Sequence, residues 1–218
     1  MATHELYDIM QTTRAVRRLR PDPVPEDVLQ RVLQAATWGP SGGNRQPWRV
    51  IVVRELATKQ TLQQLYSKLW TAYAAASRAK FASLPDALRA RADKSLAAGD
   101  YLAEHFAEVP VLLTFVFDPG GLAITDAKLN RPSVVGGGSL YPAVQNALLA
   151  CRAEGLGCVL TTLLCAEEPK LRELFALPEP WCFHAFVPIG YPVGRGHGPL
   201  SRRPVADMAF GEKWGQPL

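Results

Sequence analysis

The chain has no C-x-x-C pair, few histidines and no apolar run of membrane-spanning length, and each absence removes a class of function. Cys151, Cys158, Cys165 and Cys182 are irregularly spaced, and His4, His105, His184 and His197 are scattered, so no metal centre is expected. The cysteines sit among apolar residues and read as small buried thiols rather than as disulfides or ligands. No stretch approaches the roughly 20 consecutive apolar residues that a membrane span needs. Met1-Ala2-Thr3-His4-Glu5 lacks the basic-then-apolar order of a secretory leader, which predicts a cytoplasmic protein. No Ser-His-Asp grouping and no carboxylate pair stands out as catalytic machinery. Repeats, low-complexity blocks and linker-like changes of composition are also absent.

What is present describes a globular chain. Of 218 residues, 48% are hydrophobic and 20% charged, a balance that buries a substantial core and excludes disorder. A single domain over residues 1–218 is expected. The net charge of +4 is only mildly basic, yet four arginines crowd into Arg14-Ala15-Val16-Arg17-Arg18-Leu19-Arg20. Such a cluster can meet nucleic acid, hold a small anion or stand as a solvated basic turn. A nucleic-acid binder more often interleaves its basic face with stacking aromatics, and no such stripe is seen. A compact anion such as phosphate needs only two or three converging guanidiniums, whose planar forks match its oxygens.

Periodicity predicts a helix over 4–13 with Leu6, Ile9 and Met10 on one side, then an extended crossing enforced by Pro21, Pro23 and Pro25. Pro25-Glu26-Asp27 starts a second helix carrying Val28, Leu29, Val32, Leu33 and Ala36, with Gly39 as its stop. A strand over 48–53 reads as buried on both faces. A helix over 56–79 presents Leu62, Leu65, Leu69 and Tyr73 as a stripe, and another follows over 85–106. Trp70, Tyr73, Phe81 and Tyr101 could roof a pocket or simply pack the core. Beyond them come a strand at 109–117, a long loop at 118–138 and a helix at 140–154 stopped by Gly155-Leu156-Gly157. Strands at 158–162 and 182–189 flank a short helix at 167–175. This order implies a sheet flanked by helices, an α+β or α/β sandwich.

Between the second helix and the first strand lies Gly39-Pro40-Ser41-Gly42-Gly43-Asn44-Arg45-Gln46-Pro47-Trp48. Gly42 and Gly43 would let a backbone approach a ligand, and Ser41 and Asn44 offer hydrogen bonds beside them. A plain helix-to-strand turn is the alternative.

Five fragments in order resemble the flavin-dependent nitroreductase family: Arg14-Ala15-Val16-Arg17-Arg18-Leu19 with Pro21-Asp22-Pro23-Val24-Pro25; the 40–48 loop; Gly155-Leu156-Gly157 leading to Thr161-Thr162; Ile189-Gly190-Tyr191-Pro192; and Ser201-Arg202-Arg203-Pro204. The resemblance implies an α+β sandwich with a central, mainly antiparallel sheet, assembled as an intertwined homodimer with FMN at the subunit interface. It implies that Arg14, Arg17 and Arg202 hold the FMN phosphate, with Ala15 replacing a serine often found there. It places Ser41, Gly42 and Asn44 at the flavin, largely from the other subunit, and Thr161 and Thr162 beside the ring, with Thr162 tuning N5. No catalytic side chain is implied, because the flavin N5 carries the hydride. The implied chemistry is ping-pong transfer from NADPH or NADH to a small-molecule acceptor such as a nitroaromatic or quinone, with no metal, membrane or nucleic-acid partner. The same scaffold also supports dehalogenating, dehydrogenating, flavin-cleaving and non-catalytic flavin-binding members.

Overall fold

The structure of the protein, a computed structural model, describes residues 5–218, so His4 of the first expected helix and residues 1–4 of the N-terminal stretch read above lie outside the described residues. Strands β1 (Trp48–Val53), β2 (Val111–Phe117), β3 (Gly157–Cys158) and β4 (Cys182–Gly190) form one sheet in the order β1-β2-β4-β3, every neighbour antiparallel. The register pairs Val50 with Phe115, Thr114 with Phe186 and Cys158 with Ile189, and the β2–β4 register shifts between Phe115 and Val116, where β4 skips His184.

Alternation along β2 divides the core. Val111, Leu113 and Phe115 point to one face, where α2 (Glu26–Thr37) and α5 (Tyr141–Ala153) pack with Leu29, Val32, Val144 and Ala147. Leu112 and Val116 point to the other, against Leu62 and Tyr66 of α3 (Leu56–Phe81) and Leu102 of α4 (Asp86–Glu104). Fully burying each such side chain contributes about 1.5–3 kcal/mol, so both helix layers are fixed by the period-two pattern of the central strands. Helices α1 (Leu6–Thr12) and α6 (Glu168–Phe175) complete the set. The result is the expected helix-flanked antiparallel sheet, and among the described residues no helix is long and apolar enough to cross a membrane.

Several local expectations need correction. Strand β1 is not buried on both faces: it is the sheet edge, with Arg49 exposed and Val50, Ile51 and Val52 half-buried. An apolar run cannot distinguish an edge from a centre. The buried stripe of α3 is Leu62, Tyr66, Trp70 and Ala74, whereas Tyr73 is 51% exposed. The rings decide the register of that face, because Tyr66 stacks on Phe106 at 4.6 Å. Only Gly157 and Cys158 of the 158–162 region and its margin form a ladder, with Thr161 joined to Phe186 by one isolated bridge. Gly39 does not end α2 through a left-handed conformation; Trp38 caps it, and a Cβ on Gly39 would lie 2.5 Å from the Ala143 nitrogen where α2 meets α5. The left-handed stop is made after α5 by Gly155, at φ 75°. Of the cysteines, all free, Cys151 and Cys158 are buried while Cys165 and Cys182 are only partly so.

The long 118–138 loop is tied around one buried carboxylate. Asp126 accepts from the Ser133 hydroxyl at 2.7 Å and the Val134 N–H at 2.9 Å, and pairs with Arg131 at 2.7 Å. The Ser133 hydroxyl and these partners hold its carboxyl below the usual range.

Candidate functional site

After α1 the chain runs extended beside the sheet. The Val16 N–H donates to Cys158 O at 2.8 Å, the Arg20 N–H to Tyr191 O at 2.7 Å, and Val193 donates back to Arg18 O at 2.9 Å. Val16 and Leu19 are buried inward. Their approach requires Gly157, where a Cβ would stand 2.7 Å from Val16 Cγ1.

The four arginines of this segment separate by environment. Arg18 lies over the Tyr101 ring at 4.5 Å, and Arg20 pairs with Asp22 at 3.4 Å and lies over Tyr191. Arg14 and Arg17 instead line a hollow of about 500 Å³. The C-terminal segment reaches the same place because the Gly198 N–H donates to Thr12 O and the Leu200 N–H to Gln11 O, each at 3.0 Å. This brings Ser201 and Arg202 to the rim, opposite Arg91, Lys94 and Ser95 of α4. Ala15 is also in the wall. Five cationic side chains therefore face one hollow, and none of them pairs with a carboxylate among the described residues.

His197 ties these strands of chain together. Its Nδ1 accepts the Arg14 N–H at 3.2 Å while Nε2 donates to Leu156 O at 2.8 Å. Those partners assign the proton to Nε2.

A second hollow of about 590 Å³ adjoins the first and shares Arg17, Arg91 and Ser95 with it. Its walls are Tyr66, Trp70, Tyr73 and Phe81 with Leu88, Leu96 and Leu163, and its edge is Thr161 and Thr162. Three of the four aromatics expected at a pocket are here; Tyr101 is not, being stacked on His105 at 4.1 Å. Burial pushes the Tyr66 phenol up, while the Thr161 hydroxyl and the Arg17 charge beside it pull the other way. The Thr161 backbone is fixed by reciprocal hydrogen bonds to Phe186, both 2.9 Å. Thr162 begins the turn that follows, its carbonyl accepting from Cys165 at 3.0 Å.

Ser41, Gly42 and Asn44 are not brought to either hollow within one chain. The Gly42 N–H donates to Ser139 Oγ at 3.1 Å, the Gln46 N–H to Ser41 Oγ at 3.0 Å, and Gln46 Nε2 to Asn44 Oδ1 at 2.9 Å. Left-handed backbone at Gly43, Asn44 and Gln46 shapes this turn. Sequence reading missed Arg91, Lys94, Ser95 and His197. Lys94 and Ser95 lie three and four residues after Arg91, which puts both beside it on α4, but nothing in the sequence says where that side of the helix is aimed.

The donor set fits a phosphate monoester: the Arg14, Arg17 and Arg202 guanidiniums, the Ser201 hydroxyl and, among the described residues, no opposing carboxylate. The aromatic-walled hollow of about 590 Å³ opens beside it.

The nitroreductase family model matches residues 10–191. An NADH dehydrogenase of Thermus thermophilus is 33% identical over 193 residues, covering 88% of each chain. An iodotyrosine deiodinase of Rattus norvegicus is 27% identical over 214 residues, covering 95% of this chain and 69% of the relative. A solved nitroreductase of Desulfitobacterium hafniense with bound FMN superposes with a TM-score of 0.66 at 20% identity, over 96% of this chain and all of the other.

Proposed function

The chain belongs to the nitroreductase family, and from that premise we propose that it is an FMN-dependent oxidoreductase acting between NAD(P)H and a small conjugated acceptor. The observation that carries this reading is the convergence of Arg14, Arg17 and Arg202 on a hollow without a carboxylate. These three would bind the phosphate of FMN, with Ala15 contributing backbone and shape but no hydroxyl. Bound FMN supplies a two-electron hydride carrier at N5. Net, NAD(P)H and one proton would reduce the acceptor by two electrons, giving NAD(P)⁺ and, from a quinone, the hydroquinone.

The remaining residues would position rather than react. Thr161, held by Phe186, and Thr162 at the slot's edge would donate hydrogen bonds to the ring's edge and adjust its electronics. Trp70, Tyr73 and Phe81 would exclude water from the plane where donor and acceptor stack in turn. Ser41, Gly42 and Asn44, remote from the hollows of their own chain, would serve the partner's flavin in a homodimer. A reductive dehalogenation of an aromatic substrate is a second reading, favoured by the similarity to iodotyrosine deiodinase over nearly the whole chain.

The visible spectrum of the purified protein tests the proposal. A flavin spectrum that bleaches on anaerobic addition of NADH or NADPH is expected, and a colourless protein that cannot take up FMN would defeat it. Arg14→Ala with Arg17→Ala should yield folded protein with flavin largely lost, whereas Thr162→Ala should keep its flavin and change only its reduction. Full occupancy in the double variant would remove the phosphate assignment.

A further inference from the structure

Two cations at the site have no role in the proposed function. A phosphate monoester carries about two negative charges at neutral pH, and Arg14, Arg17 and Arg202 already answer it. Arg91 and Lys94 remain, one turn apart on α4. Like charges so placed weaken a helix slightly. Neither has a carboxylate partner, and among the described residues no aspartate or glutamate lines either hollow. Asp93, the acidic residue between them, lines neither hollow.

Their positions differ in a useful way. Lys94 faces only the cationic hollow, whereas Arg91 lines both and so stands at the junction with the aromatic slot. One Arg91 N–H is spent on Ser201 Oγ at 3.3 Å, which steadies the guanidinium and leaves its other donors open. Ser95, on the same face, adds a hydroxyl at the junction.

Resting on the FMN reading, we propose that Arg91 and Lys94, with Ser95, form a second oxyanion site that selects stacking molecules bearing a compact anionic group. Such a group could be the 2′-phosphate of NADPH or the carboxylate of an aromatic acid acceptor. Both present oxygens that a guanidinium and an ammonium would hold while the ring lies in the slot.

The test uses the FMN-loaded protein and its Arg91→Gln, Lys94→Gln double variant, with Arg91→Lys as a charge-keeping control. One arm compares NADPH with NADH, in anaerobic flavin reduction and in equilibrium binding of NADP⁺ against NAD⁺. The other compares 4-nitrobenzoate with nitrobenzene as acceptor. Wild type should prefer the charged member in at least one arm, and the double variant should lose about tenfold of that preference, as expected for a lost charged hydrogen bond. Arg91→Lys should retain most of it. The arm that responds identifies the source of the anion. No preference in either arm would overturn the proposal, as would a preference unchanged in the double variant. A fall in FMN content per chain would also overturn it, by assigning the two cations to the flavin phosphate. A wild-type protein that takes up no flavin would instead remove the underlying reading.

Discussion

The imidazole of His197 is buried, and both its nitrogens are engaged, by Arg14 and by Leu156. Burial depresses its pKa below 6.5; the Leu156 carbonyl opposes that, and the Arg152 and Arg14 charges reinforce it. Burial depresses His184 as well, and its Nε2 has no hydrogen-bond partner among the described residues. Both rings are therefore favoured neutral in the fold. Between the folded pKa values and 6.5 the unfolded chain binds more protons, so stability rises with pH across that window. The melting temperature should fall by several degrees from pH 7.5 to pH 5.5, and His197→Gln should flatten part of the slope. A melting temperature constant over that range would contradict the assignment. Asp126 acts in a lower window: its depressed pKa stabilises the loop above the usual 3.8, and this support disappears on further acidification.

At the scale of elements, the cavity walls depend on how closely α3 and α4 cross. Gly99 permits the contact: a Cβ there would fall 2.1 Å from Trp70 Cζ2, inside the indole whose Nε1 donates to Asp100 at 2.8 Å. Gly99→Ala should cost about 1–3 kcal/mol by overpacking and push either the indole into the aromatic slot or α4, with Arg91 and Lys94, away from Arg17. Thermal unfolding and tryptophan fluorescence should both change; an unaltered protein would show that the crossing has slack. This crossing was not legible in the sequence, where Gly99 is one small residue in an alanine-rich helix. Arg14, Arg17 and Arg202 stood out in the sequence as anion-binding candidates, and the fold does bring them to one hollow. The central strands were legible because they are apolar but for Thr114 in β2 and His184 in β4. The edge position of β1, the turn of α3 and the aim of the α4 cations were not, since each is settled by a neighbour distant in sequence.

At the scale of the whole molecule, several large apolar side chains stand exposed. Leu6 and Tyr7 of α1 are 62% and 79% exposed, and Trp214 is 92% exposed. Val50, Ile51 and Val52 of the edge strand are only half-covered. Such groups sit poorly in water, and a second copy covering them would suit the proposed homodimer. Sedimentation should give twice the chain mass, and Tyr7→Glu with Met10→Glu should weaken the association. A monomer at micromolar concentration would remove both the dimer and the trans role of Ser41, Gly42 and Asn44.

The cationic hollow draws its walls from residues 13–17, 91–98 and 199–202. During synthesis the first arginines leave the ribosome long before Arg202 exists, so nascent chains carry a basic segment with no finished cradle. Under the proposed FMN reading the cradle would be complete only once Arg202 has been made, and chains stalled short of residue 202 would lack that part of its wall.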